Sequence, residues 1–267
     1  MKRTTYIFMG LLVSGLLIIV ATVIFISMSG KPYREDGIFV GDEQTQMELN
    51  GIHVINVFTS QDGVPETKRV FVSGEMDISS SDASSGKEEI SYPKGKFLKV
   101  TQKNDTLLME LDLNVNNIPE KLQHKDHVFM YGLHVNLVVD SLTTIIANTE
   151  SVKLNLKDVQ TDSLFVRGRY NILLDSCQIH SLDIQGNRLE FRARNSIIEN
   201  FYLNLDGVWN WTFENTELGT EYLSGSNHHS NDLQKGECKR VVWTPLKKDA
   251  RLQVNVREKA EITITPE

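Results

Sequence analysis

The sequence predicts an all-β fold: a short β-solenoid, right-handed and β-helix-like, with about 20 residues per coil, behind one N-terminal transmembrane helix. Three observations lead there. Tyr6 to Met28 is an unbroken stretch without a charge. Downstream, apolar residues alternate in short runs of period two, and runs at helical spacing are scarce. From Leu142 to Tyr222 such runs recur at a mean spacing of about 20 residues, within the range of solenoid repeats. The 267 residues, 40% hydrophobic and 24% charged, suit a folded chain rather than a disordered one.

Residues 1–30 read as a membrane anchor. As a helix rising about 1.5 Å per residue, the uncharged stretch reaches roughly 35 Å, enough to cross a hydrocarbon core with some tilt. A cleavable signal peptide is the alternative. Its apolar segment is usually only about 7–15 residues long, although Ser27 and Ser29 before Gly30 loosely imitate a cleavage site. No cysteine near the segment's end offers a lipid attachment point. The chain is therefore expected to partner the membrane through residues 6–28. Lys2 and Arg3 form a short basic flank, which predicts a cytoplasmic N-terminus. Residues 31–267 are then extracytoplasmic, in the periplasm or at the cell surface, with a net charge of −7 − 2 = −9.

Residues 31–48 look like a polar juxtamembrane linker. Residues 49–140 form an N-terminal β region, with runs at Ile52/Val54/Val57, Val70/Val72 and Phe97–Val100. Leu107, Met109, Leu111 and Leu113 then keep a strict period of two, and Asn104-Asp105 reads as a hairpin turn before them. Ser79 to Gly86 has no large apolar residue and reads as a mobile surface loop.

Residues 141–225 carry the repeat. Leu142, Leu164, Leu182, Tyr202 and Tyr222 each open an apolar run, at nearly even intervals along the chain. A second series, Val152/Leu154/Leu156, Ile172/Leu174, Leu189/Phe191 and Trp211/Phe213, lies between them. Two strands per repeat suggest stacked coils, each closing the core of its neighbour. Asn171, Asn187, Asn195, Asp206-Gly207 and Asn215-Thr216 suit the corners, because Asn, Asp and Gly tolerate turn conformations. An antiparallel sandwich is the competing architecture. Residues 226–267 lose the register and read as an irregular loop followed by capping strands at Val241–Trp243, Leu252/Val254/Val256 and Ile262/Ile264.

The stretch Leu98-Lys99-Val100-Thr101-Gln102-Lys103-Asn104-Asp105-Thr106-Leu107-Leu108, followed by coils of this length, resembles the auto-transporter adhesin head family. Members, also called GIN domains, are common in envelope proteins of Bacteroidota. The resemblance covers about residues 48–265. The family's small-Gly-Ser-Gly corners are replaced here by Asn, Asp and bulky residues. The resemblance implies an adhesin-like β-solenoid and brings no catalytic residues.

Composition narrows the chemistry further. With 28 basic against 35 acidic residues, the chain lacks the basic excess that nucleic acid demands. Two cysteines cannot build a disulfide framework or a four-thiolate zinc site. A β-helix carbohydrate enzyme needs converging carboxylates. The outward positions offer Phe165, Asp183 and Asn204 on the first strands, and Lys153, Asn155, Leu173, Glu190 and Thr212 on the second. Asp183 and Glu190 have no stacked carboxylate partner, so neither catalytic residues nor a calcium ladder are expected, and no cofactor. His228-His229 and His124/His127 read as surface residues, although the latter two would share one face of a short helix.

Three features remain as candidate sites. Cys177 and Cys238 would form a disulfide if their Cα atoms fall within about 7 Å. Trp209 and Tyr202 are candidates for glycan stacking, against aromatic filling of the core. Asp105-Thr106-Leu107, Asp140-Ser141-Leu142 and Asp162-Ser163-Leu164 match the O-glycosylation signal that the family resemblance suggests, which would modify Thr106, Ser141 and Ser163. Together these predict an anchored, non-catalytic binding, adhesion or envelope-organising protein whose partner is a protein or glycan. The alternatives are a polymerising structural β-helix resembling bactofilins and a carbohydrate-active enzyme.

Overall fold

The computed structural model describes residues 3–29, 37–40, 43–60, 69–80, 87–114, 116–147, 149, 152–233 and 238–256. The chain divides into two units, Met1–Gly37 and Ile38–Glu267. The first contains α1 (Arg3–Ser29). No helix among the described residues is long and apolar enough to cross a membrane. This corrects the anchor over residues 6–28, and with it the cytoplasmic N-terminus and the extracytoplasmic remainder.

The rest is built of strands: β1 (Gly37–Phe39), β2 (Gln44–Leu49), β3 (Val54–Ser60), β4 (Arg69–Ser79), β5 (Glu88–Pro93), β6 (Leu98–Lys103) and β7 (Thr106–Asp112). One helical turn, α2 (Glu120–Gln123), precedes β8 (His127–Val138), β9 (Thr144–Ala147), β10 (Val152–Lys157), β11 (Gln160–Asp175) and β12 (Gln178–Arg194). β13 (Ile197–Asn204), β14 (Val208–Glu214), β15 (Glu217–Gly225), β16 (His228–Leu233), β17 (Cys238–Pro245) and β18 (Arg251–Val256) complete the strands among the described residues. Sixteen of these strands share one mixed sheet, and β16 pairs with β18 in a separate two-stranded one.

From β9 onward the neighbours are parallel. Leu164 lies beside Leu182, Leu182 beside Phe201, and Phe201 beside Glu221. The apolar period of the sequence is therefore a register offset between parallel strands. It does not make the short β-solenoid expected behind a membrane helix. Among the earlier strands β3–β7 and β4–β8 are parallel, whereas β2–β5, β5–β8 and β6–β7 are antiparallel, and they join out of chain order. The result is one mixed sheet curled into a barrel-like wall. Spacing reports which residues stack; it carries no information on how preceding strands join.

The curl comes from two long strands that bend in mid-course. The first half of β11 pairs with β9 and its second half with β10. The first half of β12 pairs with β13 and its second half with β14. At the bend Gly168 sits beside Gly186. A Cβ at Gly186 would run into the carbonyl oxygen of Gly168, and one at Gly207 into that of Gly186. Only glycine permits backbones this close. At the opposite corner Asp158, Ser176, Asn195 and Asn215 all take positive φ, between 50° and 59°. Their side chains link the corners: Asn215 Nδ2 donates to Asn195 Oδ1 at 2.9 Å, and Asn195 Nδ2 to Asp175 Oδ1 at 3.1 Å.

Alternate residues point inward and fill the wall. Val166, Ile184 and Leu203 stack in one buried column, and Phe191 lies on Phe201 with ring centroids 5.0 Å apart. Each such side chain contributes about 1.5–3 kcal/mol by leaving water. Asn104, at φ 54°, turns the β6–β7 hairpin as the sequence predicts.

Other expectations change. The stretch 31–48, read as linker, contains β1 and all but the last residue of β2. The register continues past Ser224: β17 pairs with β15, bringing Tyr222 beside Val242 and Leu223 beside Trp243. Residues 81–86 of the proposed loop and the strand at Ile262/Ile264 lie outside the described residues. His124 caps the C-terminus of α2 while His127 opens β8, so the two share no helical face.

Candidate functional site

The outward residues of β11, β12, β13 and β15 form a grid. Ser163, Ser181, Asn200 and Thr220 align across the strands. So do Phe165, Asp183, Tyr202 and Tyr222. Arg167 pairs with Gln185, and Asn204 with Ser224, along the next row. None of these side chains is buried. With one cation and one anion among twelve, the face is neutral on a chain of net charge −7.

The aromatic row is ordered. Tyr202, 38% exposed, stacks on Tyr222 with centroids 4.5 Å apart and rings 7° from parallel. Parallel in-register strands impose this, because neighbouring side chains rise about 4.8 Å apart. The Arg167 guanidinium lies 5.5 Å over the Phe165 ring, and its Nη2 donates to Gln185 Oε1 at 3.2 Å. Gln185 Nε2 in turn donates to Asp183 Oδ2 at 3.4 Å. Burial pushes the Asp183 carboxyl above its ordinary range, against the opposing pull of Gln185 and Arg167.

Trp209 lies on a different surface. Leu189 pairs with Val208 and Glu190 with Asn210, leaving Trp209 as the extra residue of a bulge. Its indole is 68% exposed and meets the edge of Tyr170 at 6.3 Å. The corner Leu205–Gly207 separates it from Tyr202, so the two predicted stacking residues do not converge. Trp211 packs against the core, and Phe213 is buried.

An open polar groove of about 600 Å³ is the second candidate; it is lined by His53, Asp140, Ser141, Asp162, His180 and Glu199, among others. His53 Nδ1 donates to the Ser141 carbonyl at 2.6 Å, and His180 Nδ1 lies 2.7 Å from Glu199 Oε2. These contacts tie the walls to each other. Ser141 and Ser163 are exposed and Thr106 is half-buried, its hydroxyl donating to Asp105 at 3.2 Å. No group of three or more potential metal ligands occurs among the described residues.

Cys177 and Cys238 are both free, Cys177 buried and Cys238 partly so. Ile179, Ile198, Leu218 and Cys238 stack on four successive strands. Three strand spacings of about 4.8 Å put Cys238 ~14 Å from Ile179, two residues beyond Cys177. A disulfide spans at most about 7 Å between Cα atoms, so the expected bridge is corrected to two separate thiols.

Sequence reasoning finds Phe165 and Asp183 as outward and misses Arg167, Gln185 and Tyr222. Phe201-Tyr202-Leu203 is apolar throughout, so alternation alone does not tell which member faces out. The deciding signal is Leu203 and Leu223, one sequence period apart, each following a tyrosine.

No known family model matches the chain, and no curated protein matches it in sequence. The GIN-domain resemblance thus has no family-level match. Among solved structures the chain is similar to a candidate adhesin from Bacteroides fragilis, at 11% identity and a TM-score of 0.46, over 82% of this chain and 97% of that one. A candidate lipid-binding protein from Parabacteroides distasonis gives 8% and 0.41, over 82% and 95%. A candidate adhesin from Parabacteroides merdae gives 11% and 0.35, over 84% and 100%. At these identities and scores none of the three decides the function.

Proposed function

We propose that this chain is a non-catalytic binding protein whose working surface is the outer face of β11, β12, β13 and β15. The observation that carries the reading is the stacked, solvent-facing Tyr202–Tyr222 pair on a neutral grid of hydroxyl and amide side chains. Aromatic rings with polar tips suit an interface that must be wet when free and covered when bound. On this face Asp183 is flanked by Phe165 and Tyr202, so no second carboxylate adjoins it for acid–base work.

Beads coated with the full chain test this on a mucin-coated surface under flow. Retention is expected, together with loss of retention in the Tyr202→Ala/Tyr222→Ala double variant. No reducing ends should be released from the mucin. Equal retention of both proteins would remove the face from the reading, and release of reducing ends would make the chain an enzyme.

A further inference from the structure

Tyr202 has two ring faces, and Tyr222 covers one of them. The other turns toward the neighbouring position on β12, which Asp183 occupies. Beyond Asp183, in the same row, stands Phe165. A short side chain between two rings leaves a notch, and two strand spacings make it ~10 Å wide between the Phe165 and Tyr202 backbones. Its floor is the Asp183 carboxylate, and its open side is rimmed by Gln185 and by Arg167 leaning across Phe165.

The chemistry of these groups selects a ligand class. An aromatic wall favours the apolar face of a flat or puckered ring. A carboxylate floor beside an amide and a guanidinium offers acceptors and donors to adjacent hydroxyls. A cationic ligand is disfavoured, because Arg167 already stands beside Asp183 and would repel it. An anionic ligand would meet Asp183, and a purely apolar one would strip water from the carboxylate without replacing it. We infer that the notch between Phe165 and Tyr202 seats one pyranose unit of a neutral glycan, stacked on Tyr202 with its hydroxyls on Asp183, Gln185 and Arg167. This rests on the binding face proposed above and names its ligand.

The test is calorimetric titration of the full chain with linear neutral hexasaccharides of glucose (β- and α-linked), xylose and mannose. At least one is expected to bind. Asp183→Ala and Tyr202→Ala should each weaken it about tenfold or more, the range of a central interface contact. Trp209→Ala should leave binding unchanged. Tyr202→Phe keeps the ring and should retain binding, which separates loss of stacking from loss of fold. Sugar binding that depends on Trp209 and not on Asp183 or Tyr202 overturns the notch. So does Asp183-dependent binding of choline in place of any sugar. If no hexasaccharide binds while mucin retention still depends on the tyrosine pair, the glycan assignment fails and the binding face stands.

Discussion

Glu221 occupies a core position. It follows Leu182 and Phe201 in an inward row, is 2% exposed, and faces Val241 on the next strand. A carboxylate taken out of water needs donors to remain there. Asn231, 3% exposed on β16, donates its Nδ2 to Glu221 Oε2 at 2.8 Å. The contact ties the two-stranded β16–β18 sheet to β15 through a buried pair. Asn231→Ala removes that donor and should destabilise the chain by about 1–3 kcal/mol, read as a lower urea midpoint. In the double variant Glu221→Leu/Asn231→Leu the polar requirement disappears from both sides, and stability should return to near the parent's. An Asn231→Ala variant as stable as the parent would mean that the carboxylate does not depend on this donor.

Elements are joined at their corners, and the corner after β13 carries the strongest electrostatic signal. Asp206 accepts the Ser226 backbone N–H through both oxygens, at 2.8 and 2.9 Å, along with Asn227 Nδ2 at 3.2 Å and His229 Nε2 at 3.1 Å. The Ser226 amide above all, with the two side chains, holds the carboxyl at about 2 against an ordinary 3.8. Because the folded value is depressed, the contribution is complete above pH 3.8 and is lost as pH falls through about 2. Asp206→Asn should flatten the fall in urea midpoint over that window, leaving the part due to Asp112, whose carboxyl Lys99 also holds low. An unchanged slope would show that the cluster forms no better with the carboxylate than without it. These corners show in the sequence only in part. Asn195 and Asn215 are legible, because their side chains tolerate positive φ. Ser176 and Asp158 share the conformation without announcing it, since serine and aspartate are as common in open loops. The notch is legible at Phe165 and Asp183, and hidden at Tyr202 by its apolar neighbours Phe201 and Leu203 on both sides of the alternation.

For the molecule as a whole, the apolar period reveals which strands adjoin, and the mixed joining of β2 to β8 is invisible to it. That joining decides how the sheet unfolds. A uniform parallel ladder would fray from its free end, losing β17 before β11. A single mixed wall joined through β9, β10, β4 and β8 should open more nearly as one unit. The two thiols report on this difference. Cys177, at the corner between β11 and β12, and Cys238, at the start of β17, are each pushed up to about 11. Burial dominates both, with the Glu221 charge adding at Cys238. Neither thiol is therefore appreciably ionised at pH 8, and each becomes reactive when its strand leaves the sheet. In a urea series with a thiol reagent and mass detection, unreduced chain should take up two labels when fully unfolded, as two separate thiols require. If the wall opens as one unit, singly labelled species stay scarce throughout and both labels appear at one midpoint. Early single labelling at Cys238 would show that the last strands come away by themselves, and that the buried Glu221–Asn231 contact does not hold the end of the sheet to its middle.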